Sequence, residues 1–373
     1  MRVTVVDPPA YTPPYDHALC TALARRGLDV ELVTSRFRFG AVPPAEGYRR
    51  REAFYRAATG SAATKAAQHP LDMARLAARL RRAGRRGVVH FQWLPIPALD
   101  AALVRLFPRP LVLTAHDVLP REVRRGSRAG AAAALRAMDA VVVHSASARA
   151  RLIEEAGVEE RCVQVIPHGA FAHLAAASGS DPAPPALSGL DGRRVVLFFG
   201  LVRPYKGVDV LVEAFAGAPE DAVLLIVGMP RMPLEPLERR ARELGVADRV
   251  RFVPRFVPDE ELPSYFRHAD VVVLPYREID QSGVLYTALA FGTPLVLSDV
   301  GGFGEIAARG AARLVEPGSV EALRIGLVDV LDDAEGRARM RAAALGLAQG
   351  EHSWAAAAEA TERLYRRLRE ARA

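Results

Sequence analysis

The sequence predicts an α/β protein of two doubly wound domains facing each other across a cleft, and three observations support that prediction. The first is length: 373 residues exceed what one ordinary hydrophobic core organises, so two domains are expected. The second is alternation. Short β-rich apolar runs take turns with helical patterns along the whole chain, which is the signature of parallel sheets covered by helices. The third is a break. Residues 173–192 are rich in Ala, Ser, Pro, Gly and Asp and have no apolar period, which is a linker composition.

The expected division is therefore an N-terminal domain over 1–172, a linker over 173–192, a C-terminal domain over 193–352 and a closing helix over 353–373. Ser353 is that helix's expected N-cap, and its last turn is basic. Strands are predicted at 3–6, 30–34, 88–91, 111–114, 140–144 and 163–167 in the first half. In the second half they are predicted at 195–200, 222–227, 250–253, 271–275, 294–298 and 312–315, with amphipathic helices over 234–244 and 320–331.

Composition narrows the class. Half the residues are apolar and a quarter charged, which is globular rather than disordered. No apolar run reaches the roughly 18 residues that span a bilayer. The first strand meets prolines without a small-residue cleavage site, so a cytoplasmic location is expected. Cys20 and Cys162 stand far apart in patterned segments and are expected to be reduced core residues, not a disulfide framework or zinc site. The net charge of +7 suits a nucleic acid, an anionic membrane or a phosphorylated substrate. Arginine carries almost all of it, and lysine occurs only at Lys65 and Lys206. A lysine kept at 206 in so arginine-biased a chain hints that an ammonium is needed there. The arginine-rich stretch 75–86 reads as a basic amphipathic helix. It is either a solvated face or a peripheral contact with anionic lipid at the inner face of a membrane. No recognition module or aromatic interleaving accompanies it, so nucleic acid is not an expected partner.

In open parallel sheets, ligands bind beyond the carboxyl ends of the strands, so the chemistry is sought where each strand ends. After the strand at 195–200 come Gly200, Arg203, Lys206 and Gly207, then a helix over 208–215. Two cations beside a helix N-terminus suit a diphosphate, with Arg203 forking onto two oxygens and Lys206 acting as a point charge. A solvated turn with two surface cations would read the same way. After the strand at 271–275 come Glu278, Asp280, Gln281, Ser282 and Gly283, then a helix over 285–291. Small residues there admit backbone N–H groups to a phosphate or sugar, and the polar side chains suit sugar hydroxyls; a plain N-cap fits equally. Gly301, Gly302 and Glu305 follow the strand at 294–298, where a tight turn is the alternative. In the first half, His116 and Asp117 end the strand at 111–114, and His168 precedes the linker.

The first strand exit is Pro-rich and lacks a G-x-G-x-x-G loop, which argues against a nicotinamide dehydrogenase. No G-x-x-x-x-G-K-[ST] occurs, which argues against a P-loop ATPase, and no cluster has metal-ligand spacing.

In order, strand–Gly–Arg–Lys-Gly, then Gln281-Ser282-Gly283-Val284, then Asp299-Val300-Gly301-Gly302-x-x-Glu305 resemble the retaining family 4 glycosyltransferases of GT-B fold. The likeness runs from about 195 to 317 and is looser in the first half, at Ala115-His116-Asp117 and Pro167-His168-Gly169. It implies two Rossmann-like domains, with a nucleoside-diphosphate sugar in the second and the acceptor in the first. The last helix would cross back to the first domain. It further implies that Gly200, Arg203, Lys206, Gln281 and Ser282 bind the donor, with Gly283, Val284 and Leu285 offering N–H groups to its diphosphate. Thr287 and Glu305 complete that set. His116 would act at the transferred sugar with Asp280 or Glu278, and Tyr15, Asp16 and His168 would meet a sugar or lipid-linked acceptor. No cofactor or metal is implied.

Three departures stand out. Leu201 occupies the place where many members have the arginine; Ile279 and Thr287 occupy those of two glutamates eight apart; and the first loop is Pro-rich, not Gly-rich. The rival readings are a sugar-nucleotide epimerase of the same shape, which needs a carboxylate pair flanking the sugar, and a non-catalytic nucleotide-sugar-binding subunit.

Overall fold

The computed structural model describes the chain except residues 39, 59, 60, 85, 86, 120–126, 180–182 and 373. It divides into two compact units, Met1–Gly169 with Trp354–Ala373, and Ala170–Ser353.

The first unit holds a sheet of β1 (Arg2–Asp7), β2 (Asp29–Thr34), β3 (Arg49–Glu52), β4 (Gly87–Phe91), β5 (Leu111–Thr114), β6 (Ala140–Val143) and β7 (Val163–Val165). All neighbours are parallel, in the order β3-β2-β1-β4-β5-β6-β7. The middle strands are apolar on both faces because helices cover both. The closing helix, Trp354–Glu370, belongs to this unit. Its Ala357, Ala358, Leu364 and Tyr365 join the core formed with Val3, Val5, Leu19 and Leu23. The Tyr365 hydroxyl lies 2.6 Å from His90 Nδ1.

The second unit holds β8 (Arg194–Phe199), β9 (Ala222–Val227), β10 (Val250–Val253), β11 (Val271–Leu274), β12 (Leu295–Ser298) and β13 (Ala312–Val315), again all parallel. The order is β10-β9-β8-β11-β12-β13. In each sheet the strand order reverses beside its first strand, between β1 and β4 and between β8 and β11. A crevice opens at such a switch point.

The structure corrects three expectations. β3 carries Arg49, Arg50, Arg51 and Glu52, with no apolar residue to signal a strand; it is an edge strand whose charges face water. The segment 173–192 is not a free linker. As far as it is described, it packs into the second unit: Leu174, Leu187 and Leu190 are buried, and Arg251 and Arg267 hold carbonyls of Ala186, Ser188, Ala175 and Ser178. The division between the units falls after Gly169. The basic helix begins at Ala62, capped by Ser61, and ends at Arg82; Arg85 and Arg86 of the predicted stretch lie outside the described residues. Its Leu76, Ala77 and Leu80 face the core, and Arg79 forks onto Glu31. Among the described residues, no helix is long and apolar enough to cross a membrane.

Candidate functional site

In the second unit, the loops after β8 and β11 lie on either side of the switch point. β8 runs into Gly200, a short turn over Pro204–Lys206, and Gly207 in the left-handed region. The helix Val208–Phe215 follows, amphipathic enough to bury six of its residues. Lys206 is only 8% exposed, and its Nζ stands 4.9 Å from the Tyr276 ring centre. A methyl placed on Gly200 would lie 3.3 Å from Lys206 Nζ and 3.3 Å from Val284 Cγ2. The ammonium, the Gly200 backbone and the first turn of the helix Gly283–Phe291 therefore converge at one spot.

Glycine is required where these loops cross. A Cβ on Gly207 (φ 66°) would stand 2.0 Å from the Pro275 carbonyl oxygen, and one on Gly301 (φ 55°) 2.0 Å from that of Ile279. Arg277 ties the loops from outside. Its N–H donates to the Tyr205 carbonyl at 2.7 Å, Nη1 to the Pro204 carbonyl at 2.7 Å, and both Nη atoms fork onto Asp209 at 3.0 and 2.6 Å. Burial alone would push the Asp209 carboxyl up; the Arg277 fork overrides it and holds it below its ordinary value.

The structure sorts the predicted donor residues. Gly200, Lys206 and Val284 are brought together. Arg203 is half-buried and starts the turn, its carbonyl accepting from the Lys206 N–H at 3.0 Å. Gly283 and Val284 open their helix, so their N–H groups have no intrahelical partner. Leu285 is a correction: its N–H donates to the Ser282 carbonyl at 3.1 Å, closing a turn instead of facing a ligand. Thr287 is another, because its hydroxyl donates to the Gly283 carbonyl at 3.0 Å within the helix and is buried. Gln281 Oε1 accepts from the Tyr286 hydroxyl at 2.7 Å, and Ser282 Oγ lies 3.4 Å from the Tyr276 hydroxyl. Asp280 is buried, whereas Glu278 and Glu305 are exposed.

In the first unit, the ends of β4 to β7 gather a set of rings. His116 stacks on Trp93, with centroids 5.0 Å apart and planes 17° apart, and meets the Tyr15 edge at 4.7 Å. Tyr15 also touches His168 at 4.9 Å and Trp354 at 4.9 Å, and His144 lies between His116 and His168. His168 is buried, and its Nδ1 is 2.8 Å from the Gly169 carbonyl. Burial, helped by His144 and His90, pushes His116 well below its ordinary range, so its imidazole is neutral at physiological pH. Its Nε2 lies 3.1 Å from Gln92 Oε1. The Gln92 amide nitrogen is buried without a partner among the described residues. It lines a cavity of about 110 Å³ with His116, Trp93 and Asp117, where a ligand hydroxyl would satisfy it. Gln92, Trp93, His144 and Trp354 escaped the sequence reading. A signal existed: the chain has two tryptophans, and both stand against this set.

Asp16 is a further correction. It is 1% exposed and turned to Asp7, so it does not face an acceptor. Burial pushes Asp7 up to about 6, and burial with the neighbouring Asp7 charge pushes Asp16 well above its ordinary value, so the pair favours holding a proton between them. Raised folded-state pKa values mean stability that is complete below the unfolded value near 3.8 and lost as pH rises through about 6 and beyond. His90, pushed by burial down to about 3, has the opposite sign; its contribution is lost only below about 6.5. Between pH 6.5 and 8, the pair is therefore the titrating element of the two. Asp16→Asn keeps a donor to Asp7 and removes the proton. It should melt close to the parent at pH 5 and above it at pH 8; equal melting shifts at both values would refute the shared proton.

Among the described residues, no group of three or more His, Cys, Asp or Glu side chains is placed to hold a metal ion.

Residues 15–170 match the family model for Glycosyltransferase Family 4, and residues 193–333 that for Glycosyl transferases group 1. The chain is 30% identical over 313 residues to D-inositol 3-phosphate glycosyltransferase 1 of Catenulispora acidiphila, covering 78% of this chain and 74% of that one. It is 38% identical over 182 residues to the D-inositol 3-phosphate glycosyltransferase of Corynebacterium efficiens, covering 46% of this chain and 42% of the relative. With the GDP-mannose-dependent alpha-(1-6)-phosphatidylinositol monomannoside mannosyltransferase of Mycolicibacterium smegmatis, identity is 35% over 210 residues, 51% of this chain and 52% of the relative. The chain thus spans about half the length of these last two relatives. Among solved structures, sucrose-phosphate synthase from Thermosynechococcus elongatus superposes with TM-score 0.76 over 100% of both chains at 21% identity. Anabaena HepE in complex with UDP does so with TM-score 0.75 over 99% and 100% at 18% identity. Two parallel-sheet Rossmann-like units, GT-B structural neighbours and these relatives lead to one conclusion: the chain belongs to the family 4 glycosyltransferases.

Proposed function

We propose that this glycosyltransferase moves a hexose from a nucleoside-diphosphate sugar to a hydroxyl of a sugar or lipid-linked acceptor, with retention at the anomeric carbon. The observation that carries the reading is the buried Lys206 ammonium, set against Gly200 and the first turn of Gly283–Phe291 at the β8/β11 switch point. As the bond from sugar C1 to the diphosphate oxygen breaks, negative charge grows on that oxygen. Lys206, Arg203 and the N–H groups of Gly283 and Val284 are preorganised to stabilise it. The acceptor oxygen bonds to C1 on the face the diphosphate leaves, and its proton passes to the departing phosphate. Neutral His116, backed by Gln92 and Trp93, serves the acceptor side as a hydrogen-bonding group, not as an acid. The M. smegmatis relative, dependent on GDP-mannose, and HepE, solved with UDP, make GDP and UDP the first bases to try.

The test is a thermal-shift panel of nucleoside diphosphates and their sugars, followed by the anomeric configuration of the product by NMR. One diphosphate and its sugar should raise the melting temperature, since they bind only the folded state. No shift with any of them, or an inverted product, would overturn the reading. The proposal includes no resident metal, so dialysis against EDTA should leave the transfer rate unchanged; a tenfold loss would contradict it.

A further inference from the structure

The carboxyl edge of the first unit's sheet holds a second cationic site, away from His116. After β2 and β3 a cavity of about 910 Å³ opens, lined by Arg36, Arg38, Arg56 and Lys65 against a single carboxylate, Glu52. None of these four cations forms an ion pair among the described residues, whereas nearby Arg49 and Arg79 pair with Asp29 and Glu31. Lys65 is the only lysine besides Lys206. In a chain that uses arginine almost everywhere, each of the two ammoniums thus stands where an anion would sit.

The wall of the cavity is built, not incidental. Tyr55 holds φ 57°, a left-handed conformation that is unfavourable for an aromatic residue. Its backbone N–H donates to Asp72 Oδ2 at 2.9 Å, and its hydroxyl lies 2.8 Å from His69 Nδ1. His69 Nε2 lies 2.7 Å from Asp100 Oδ1, and both of these side chains are wholly buried. This buried relay fixes the turn that carries Arg56 into the cavity. Lys65 Nζ stands 5.8 Å over the Tyr55 ring. Strain held in place by a buried network is the mark of a turn with a task.

We propose that this cavity binds a phosphate group of the acceptor. Several guanidiniums and an ammonium match the charge and the many oxygens of a phosphate better than one carboxylate would need. β2 lies three strand positions from β5 along the same edge, so the phosphate would sit about 14 Å from His116. The acceptor is then one whose anionic group is remote from the hydroxyl that reacts. The inference rests on the proposed transfer reaction for the word acceptor, but the phosphate site is testable without it.

The test uses the full chain with Lys206→Ala, to silence the other anion site, with and without Arg36→Ala and Arg38→Ala. Both arginines are exposed, and neither makes an ion pair among the described residues, so folding should not depend on them. Inorganic phosphate is titrated by ³¹P NMR, and flotation is measured with phosphatidylinositol in phosphatidylcholine vesicles. The arginine pair should weaken phosphate binding tenfold or more. Loss with phosphate alone assigns a soluble phosphorylated acceptor; loss of flotation as well assigns a lipid phosphate. Unchanged binding in both arms overturns the proposal. GDP and UDP binding, measured on the same variants and on the parent, keeps the two claims apart. If Lys206→Ala abolishes it while the arginine pair leaves phosphate binding intact, the donor reading stands and this one falls. If the arginine pair abolishes phosphate binding while GDP and UDP ignore Lys206, the reverse holds.

Discussion

Lys206→Ala should slow transfer on the order of 10²-fold or more while the protein still folds. The ammonium is 8% exposed, sits over the Tyr276 ring and lies within reach of Gly200 and Val284. It therefore meets a diphosphate in a partly desolvated place, where a charge contact is worth more than at the surface. Because the same contact strengthens as the leaving group gains charge, the loss should fall on kcat as well as on donor affinity. Lys206→Arg should not rescue it. The Lys206 side chain is 8% exposed, and a planar, forked guanidinium does not reproduce a compact point charge at the end of a buried stem. Steady-state rates with the donor found in the nucleotide panel, beside melting curves, decide the matter. Full activity in both variants would remove the diphosphate from this loop.

Gly207→Ala should damage stability and transfer together. A side chain there must hold a left-handed φ and place Cβ 2.0 Å from the Pro275 carbonyl oxygen. The backbone strain alone is on the order of 1–3 kcal/mol, and the clash forces the β8 and β11 loops apart. A total near 3 kcal/mol would lower the melting temperature by about 6–12 °C for a unit of this size. Separating those loops also withdraws Lys206 from Val284 and breaks the Arg277 bridge to Tyr205 and Pro204. Activity should fall as far as in Lys206→Ala even at temperatures where the variant is folded. A variant that melts with the parent and transfers at its rate would show that the two loops need not touch.

The sheets were legible because central parallel strands buried on both faces, such as β5, β6, β9, β11 and β12, read as apolar runs, and among the described residues each strand but β3 carries an apolar signal. β3 was not legible, since an edge strand of Arg49, Arg50, Arg51 and Glu52 advertises only charge. The 173–192 segment misled for a related reason. Its Ala, Ser and Pro say linker, but Leu174, Leu187 and Leu190 are enough to anchor it. At the site, residues that follow a strand within one motif could be found in order, as with Gly200, Lys206 and Gly283. What joins them could not. Arg277 to Asp209, and Tyr55 to His69 to Asp100, are partnerships across 68, 14 and 31 residues with no spacing rule behind them. The resemblance placed Asp16 on the acceptor side, and nothing local in the sequence reveals that it is buried against Asp7. Leu285 and Thr287 failed because helix geometry uses their N–H and hydroxyl internally.

The most direct measurement is a crystal structure soaked with the nucleoside diphosphate that raises the melting temperature most. The pyrophosphate should lie within hydrogen-bonding distance, about 2.7–3.2 Å, of Lys206 Nζ and of the Gly283 or Val284 N–H. Density for the nucleotide elsewhere on the chain, with Lys206 still turned onto Tyr276, would contradict the account.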